Sequence, residues 1–416
     1  MKMFTGYEYL LIDAANQFGL DKELFEDRIQ WANDHIEVLE ELAEDRTWKE
    51  KPLYLKAVMA IRKAQAGKPT GHLVGFDAVC SGMQIMSALT GCEAGARATG
   101  LVNPNERADA YTKCTELMRK RIPTLPDSAR KKTKIAVMTS LYGSKAEPKN
   151  LFGEGSDELN AFYEAMYEMA PGACELLQDL TNSWNADALS HEWKLPDGYD
   201  VKVKVMKKVE TRIEIAELGN ASFSYEYFEN EGTEKGVSNV ANVVHSIDAY
   251  VLRCLERRCN YDPFIVGKAF SLLMNEALRR GIGGTAPRMG KVDDTAFHYY
   301  LSQYRRCGIA DIVILPHLTK QNVCLLGEVH LDKLLKLVEE MVEYAPFPVV
   351  TVHDEFKCHA NNMNTLRLQY KNILADIAES NLLDDILSQL YRVTGTFPKK
   401  SKNLAFKIRQ SNYALS

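Results

Sequence analysis

Two short apolar stretches, HLVGFD (72–77), which ends at an acidic residue, and PVVTV (348–352), which is followed by His353-Asp354-Glu355, are separated by a chain that mostly reads as helix. They leave two lone aspartates, Asp77 and Asp354, on separate structural elements, and two carboxylates that converge from distant positions are what a pair of metal ions needs. Residues 5–68 show apolar positions three or four apart, through WANDHIEVLEELAED and PLYLKAVMAIRKAQA, and read as helices. The same periodicity predicts helices over 81–89, 105–122, 126–142, 157–188, 237–258, most of 260–345, and 364–393. After the turn signal Pro196-Asp197-Gly198-Tyr199, VKVKVMKK alternates apolar and basic residues as a half-buried strand does. The following ETRIEIAELGNASFSYEYFENEGTEKG continues as an extended hairpin with a Gly-Asn turn. The fold class expected is α+β and mostly helical, with a small antiparallel sheet. At 416 residues, two or three subdomains are expected.

Composition narrows the function classes. No run approaches the roughly 20 apolar residues of a membrane span, and the N-terminal MKMFTGYEYLLIDAANQFGL carries polar and acidic residues too early for a secretory signal. A cytoplasmic location is expected. Nine cysteines include no C-x-x-C pair and no matching His/Cys cluster, which argues for reduced thiols and against structural zinc. The net charge of −5 does not advertise a nucleic-acid binder, but basic clusters occur at 130–134, 202–208 and 398–407.

Three segments carry the chemistry. Asp77 stands where a strand gives way to a helix, so its carboxylate and the Ala78 carbonyl offer hard oxygens to a metal ion; an isolated Asp there would otherwise be an N-cap. In RKKTKIAVMTSLYGSK (130–145), Arg130, Lys134, Met138 and Tyr142 recur every four residues and form one drifting helical stripe. Arg and Lys in that stripe suit a triphosphate, and Tyr142 followed by Gly143 places a phenol where backbone can approach closely. The third segment, PVVTVHDEFKC (348–358), puts His353-Asp354 in a tight turn after a strand, able to join Asp77.

The string GFDAVCSGMQIMSALTG resembles the first catalytic motif of the single-subunit RNA polymerases of phages and mitochondria. Asp77, Cys80, Ser81, Gly82, Gln84 and Ser87 match, while Ile85 and Met86 replace the expected His and Phe, and Ala78 replaces Gly. The fingers-helix motif K-x-x-V-M-T-x-x-Y-G-S-K is matched in order by Lys134, Val137, Met138, Thr139, Tyr142, Gly143, Ser144 and Lys145. In GVSNVANVVHSIDAYVL (236–252), Asn242, Val244, His245, Ser246 and Asp248 match a further family segment.

The resemblance implies a right-hand polymerase of palm and fingers, with palm parts at 71–93 and 245–416, fingers at 94–244, and a helical segment at 1–70. It implies two Mg²⁺ ions held by Asp77, Ala78 and Asp354, with Asp77, Asp354, Lys134 and Tyr142 as the catalytic residues. Arg130 and Lys134 would grip the triphosphate, and Tyr142 would select ribonucleotides. Met138, Gly143 and His353 join the substrate-binding set, and His245 becomes a candidate for checking product geometry. DNA template, RNA product and ribonucleoside triphosphates are the implied partners, in an infected host cell if the gene is a phage's.

Three departures from the family shape the expectation further. Only 76 residues precede Asp77, where relatives carry several hundred, so a second subunit supplying the N-terminal and thumb region is expected, as in split phage enzymes. The hairpin expected at 214–236 carries Glu214, Glu217, Glu226, Glu229, Glu231 and Glu234 where relatives read a duplex promoter. Acids there oppose phosphate, so a promoter-opening or single-stranded-DNA-binding helper is expected. About eighty extra residues (260–345) form a helical insertion, as a docking surface or as padding. Glu355 matches the H-D-E of the related DNA polymerases instead of H-D-S. A DNA polymerase or primase-like enzyme, and a non-catalytic nucleic-acid-binding subunit retaining the palm, are the alternatives.

Overall fold

The computed structural model describes residues 1–45, 47, 50–232, 238–285 and 294–416, with the side chains of 230–232 and 238 excepted. β1 (Leu73–Asp77) pairs antiparallel with β7 (Glu355–His359), which pairs in turn with β6 (Val350–Val352). The two apolar stretches, nearly 280 residues apart in sequence, thus form one three-stranded sheet in the order β1–β7–β6. β2 (Ser190–Lys194) pairs with β3 (Asp200–Lys204), and β4 (Met206–Ile215) with β5 (Ala221–Gly232), each as a separate two-stranded ribbon. The rest is mostly helix.

The sheet is held from one side by aromatic packing. Val74 and Phe76 of β1 alternate inward with Phe356 and Cys358 of β7, all buried. Phe76 meets Phe25 at 5.4 Å and Tyr9 at 5.9 Å between ring centroids. Phe25 in turn stacks on Tyr413 at 4.9 Å. The guanidinium of Arg367 lies 4.6 Å from the centre of Phe25 and donates to Tyr9 Oη (2.7 Å) and the Asn412 carbonyl (2.8 Å). N-terminal, central and C-terminal segments are therefore tied together behind β1. Truncating a fully buried aromatic such as Phe76 costs about 3–5 kcal/mol.

Against the sheet packs the Ser81–Thr90 helix, buried along nearly its whole length. Cys80 enters it with φ 56°, a left-handed conformation that turns the chain sharply out of β1. Gln84, fully buried, donates to the carbonyls of Thr99 and Ala414 (3.0 Å each) and accepts from Tyr370 Oη (2.8 Å). All of its polar atoms find partners, as burial requires.

Several expected elements are broken where a local signal overrides the periodicity. The 157–188 stretch is two helices, Asp157–Met169 and Pro171–Asn182, because Pro171 supplies no N–H and starts a new helix. The 364–393 stretch divides at Ser380-Asn381 into Met363–Glu379 and Leu382–Tyr391. The 105–122 helix starts only at Ala110, with Asp109 as its cap. The 126–142 helix spans Ala129–Ser140, so Tyr142 stands in the turn that follows it. VKVKVMKK is shared between β3 and β4, with Val203 and Val205 buried and β4 largely exposed. The hairpin spans 206–232, starting earlier than expected, and its turn has Gly219 and Asn220 at positive φ. Residues 233–237, and with them Glu234 and the start of the expected 237–258 helix, lie outside the described residues; the side chain of Glu231 does too.

One helix, Ser238–Cys259, runs through positions 244 and 245 without a break. Between Pro263 and Val342, helices gather around a second core that includes Leu273, Phe297, Leu334 and Met341; positions 286–293 of this expected insertion are outside the described residues. Buried Asp311 anchors it, accepting from Tyr250 Oη and Arg257 (3.0 Å each). Among the described residues no helix is long and apolar enough to cross a membrane.

Candidate active site

The β6–β7 connection is a two-residue turn, His353-Asp354, closed by the Val352–Glu355 pair, with His353 at φ 56°. Asp354 is thereby carried to the end of β1. The Ala78 N–H donates to the Asp354 carbonyl at 3.1 Å, and Asp77 lies directly across from Glu355. The Asp77 carbonyl accepts from the N–H of Ser416 at 3.1 Å. Three carboxylates therefore meet at one sheet end. They line a cavity of about 430 Å³ that also receives Ala78, Arg130, Lys134 and Met138. Distant sequence positions converge here because the strand register leaves no alternative placement.

Electrostatics of the cavity follow from this crowding. Asp77 is accessible, but the cavity walls partly desolvate it; this raises its pKa, and the charges of Glu355 and then Asp354 add to the effect. Lys357 and Lys22 pull the other way. Lys357 Nζ lies 2.8 Å from Glu355 Oε1. Asp248, on the Ser238–Cys259 helix, is pushed up to about 6 by burial and by Asp354.

The opposite wall is the Ala129–Ser140 helix. Arg130 is held by an ion pair with Asp109 and by donation from Nε to Thr112 Oγ1 at 2.8 Å. Asp109 also caps the next helix, accepting from the N–H groups of Tyr111 (2.9 Å) and Thr112 (3.1 Å). Burial works to raise the Asp109 pKa, but these bonds outweigh it and leave the group below its ordinary value. Lys134 Nζ sits 5.3 Å from the centre of the Tyr111 ring.

Tyr142 is placed by the turn Leu141–Gly143, with Gly143 at φ 86°. Its ring meets His245 edge-on at 4.5 Å. A β-carbon on Gly82 would come within 3.6 Å of Tyr142 Oη, so the phenol rests over the helix that follows Asp77. Burial and the charges of Asp248, Cys80 and Asp354 push the phenol up to about 12, so it remains a protonated donor at neutral pH.

The expected residues thus fall into two adjoining groups. Asp77, Ala78, Arg130, Lys134, Met138 and Asp354 share the cavity, and Tyr142 pairs with His245 beside it. Two stand apart: Gly143 lines a different cavity of about 470 Å³ with Tyr163, Met166 and Leu177, and His353 is exposed in its turn.

The structure also adds residues that the motifs did not reveal. Asn16, Gln17, Asp21 and Lys22 reach the cavity from the N-terminal segment, and Arg107 from the loop before the Asp109 cap. A π-helical turn, Asn16–Leu20, makes this approach, with Gly19 at φ 99°. Fully buried Arg28 fastens it, donating to Asn16 Oδ1 (2.8 Å) and to the carbonyls of Asp21 (3.0 Å) and Glu23 (2.7 Å). Nothing local in the sequence marks Lys22; the glycine in Asn16-Gln17-Phe18-Gly19 was the available signal of a bend.

The motifs and the comparisons with known proteins agree on one class: the chain is similar to the phage-type, single-subunit DNA-dependent RNA polymerases. The family model for DNA-dependent RNA polymerase matches residues 4–148, a span that contains Asp77, Arg130, Lys134 and Tyr142. A DNA-directed RNA polymerase of Pseudomonas phage phiKMV is 27% identical over 301 residues, 59% of this chain. That match spans 37% of the relative's own length.

Proposed function

We propose that the chain carries the nucleotidyl-transfer centre of a DNA-templated RNA polymerase, with the β1–β7–β6 sheet as its palm and the Ala129–Ser140 helix as part of its fingers. One observation carries this reading: Asp77 and Asp354 share a cavity with Arg130 and Lys134. Two carboxylates and the Ala78 carbonyl make an all-oxygen donor set, which suits Mg²⁺. Among the described residues no cluster of three or more His, Cys, Asp or Glu forms a self-contained metal cage. An ion pair that shares its ligands with substrate phosphates needs no such cage. Desolvation, and then the charges of Glu355 and Asp354, raise Asp77; a bound cation would offset both, which supports the fit.

When bound, two Mg²⁺ ions would lower the pKa of the RNA 3′-hydroxyl and stabilise the departing pyrophosphate. The residues of the chain do the positioning. Arg130, fixed by Asp109 and Thr112, and Lys134 meet the triphosphate charge with cations already in place. Tyr142, a protonated phenol beside His245, offers a donor to the sugar hydroxyl. Primer extension by the chain together with any subunit that copurifies with it, on an annealed template with ribonucleoside triphosphates and Mg²⁺, tests the reading; template binding without incorporation sinks it.

A second subunit supplying the thumb region and a helper that holds promoter DNA open belong to the same proposal. Support for the helper is the acidic hairpin, where Glu210, Glu214 and Glu217 disfavour autonomous duplex contact. Copurification of a second polypeptide tests the subunit. Glu355, directly opposite Asp77, favours a second reading as a DNA-polymerizing enzyme. Supplying only ribonucleotides or only deoxyribonucleotides separates the two.

A further inference from the structure

The β4–β5 hairpin has the sequence pattern of a ribbon covered on one face, and among the described residues much of that face is exposed. Its register places Val209 across from Tyr227, Thr211 across from Tyr225, and Ile213 across from Phe223, all on one side. The other side is mainly polar, with Glu210 across from Glu226 and Arg212 across from Ser224; Lys208 faces Phe228 there, and Lys207 and Glu229 close the apolar side. Two-residue alternation of this kind, here over 209–213 and 223–227, marks a ribbon with a buried side. Yet Phe223 is 50% exposed, Tyr225 43% and Tyr227 39%, and the two tyrosines stack on each other at 5.7 Å. A two-stranded ribbon is marginally stable alone in water, and a contiguous exposed apolar face marks a contact surface.

Charge decides what covers it. Between positions 206 and 229 the carboxylates are Glu210, Glu214, Glu217, Glu226 and Glu229, against Lys207, Lys208 and Arg212. Lys208 is engaged by Glu226 at 2.6 Å. The excess of acid repels a phosphate backbone. A second copy would bring the same excess against itself, on a chain whose net charge is already −5. A different polypeptide with an apolar patch flanked by lysines or arginines satisfies both faces.

We propose that the β4–β5 ribbon is a docking arm for a basic partner protein, which covers the Val209–Ile213–Phe223–Tyr225–Tyr227 face and reaches round the β4 edge to set its cations against Glu210 and Glu214 on the other side. The inference goes beyond the catalytic reading and does not depend on it.

The test places the photocrosslinker p-benzoylphenylalanine at position 225 or, as a control, at 226 of the full chain, irradiated in an extract of the native source. A polypeptide captured at 225 is identified, produced separately and titrated against the unmodified chain, Tyr225→Ser/Tyr227→Ser and Glu210→Lys/Glu214→Lys. Binding to the unmodified chain that weakens by about tenfold or more in both variants and falls as salt is raised is the expected result. Equal affinity for the variants overturns the proposal, as does an adduct only with nucleic acid, an adduct only with a second copy, or no adduct. Primer extension on a pre-annealed template, expected to be unchanged in Tyr225→Ser/Tyr227→Ser, separates failure here from failure of the polymerase reading.

Discussion

Asp77 and Glu355 stand directly opposite each other at the end of the β1–β7 ladder, on neighbouring strands that reach the sheet from opposite ends of the chain. Like charges in that position destabilise a strand pair. The arrangement persists because the aromatic packing behind β1 over-determines the register.

This pair yields a pH prediction. The folded pKa of Asp77 lies above its unfolded value of 3.8, owing to desolvation, then Glu355 and Asp354. The charged form therefore costs stability once pH exceeds the folded pKa, and the cost vanishes as pH falls below 3.8. Asp77→Asn should raise the melting temperature in divalent-free buffer at neutral pH by about 1–2 °C, with the gain fading as pH falls through the folded pKa and gone below 3.8. Mg²⁺ should stabilise the unmodified chain more than this variant. Thermal melts across pH, with and without Mg²⁺, check both.

Asp354 occupies a turn that carries no core packing. Asp354→Asn should lower nucleotide addition by about a thousandfold or more while leaving the circular dichroism spectrum and melting cooperativity intact. Single-turnover extension of a labelled primer measures it; near-normal rates would remove Asp354 from the metal site.

For Tyr142→Phe, the ring and its contact with His245 remain and only the donor is lost. The expected change is a fall of about tenfold in the preference for ribo- over deoxyribonucleoside triphosphates. The ratio of the two kcat/KM values reports it, and an unchanged ratio would assign sugar selection elsewhere.

Asp109 both caps a helix and orients Arg130. Asp109→Ala should cost about 1 kcal/mol of stability through the lost cap. It should also raise the apparent KM for triphosphate by about three- to tenfold, since a freed Arg130 loses pre-organisation. Asp109→Asn should recover most of the cap but little of the KM, which distinguishes the two effects in denaturant melts and steady-state kinetics.

Much of the site was legible because motif residues lie close in sequence. The stripe Arg130–Lys134–Met138 needs only the pitch of one helix, and the placement of Asp354 needs only a two-residue turn. Lys22 and Arg107 were not legible. Their approach depends on a π-helical bend fastened by a buried Arg28, and no periodicity encodes a tertiary clamp. The helix breaks at Pro171 and Ser380-Asn381 were masked by apolar periodicity that continues across them. The exposure of the β4–β5 face was equally hidden, since alternation reports that a face is suited to burial, not whether the chain itself buries it.

By itself, the sequence determined the local elements: a strand ending in Asp77, another leading into His353-Asp354, a basic helix carrying Arg130 and Lys134, and an extended acidic hairpin. Local sterics and side-chain period are enough to specify these. Only the tertiary structure decided that Asp77 faces Glu355, that Asp354 reaches the end of β1, and that Tyr142 settles over Gly82 against His245. Those relations are set by register and by packing among segments hundreds of residues apart, where contact energies act between groups that sequence proximity does not connect.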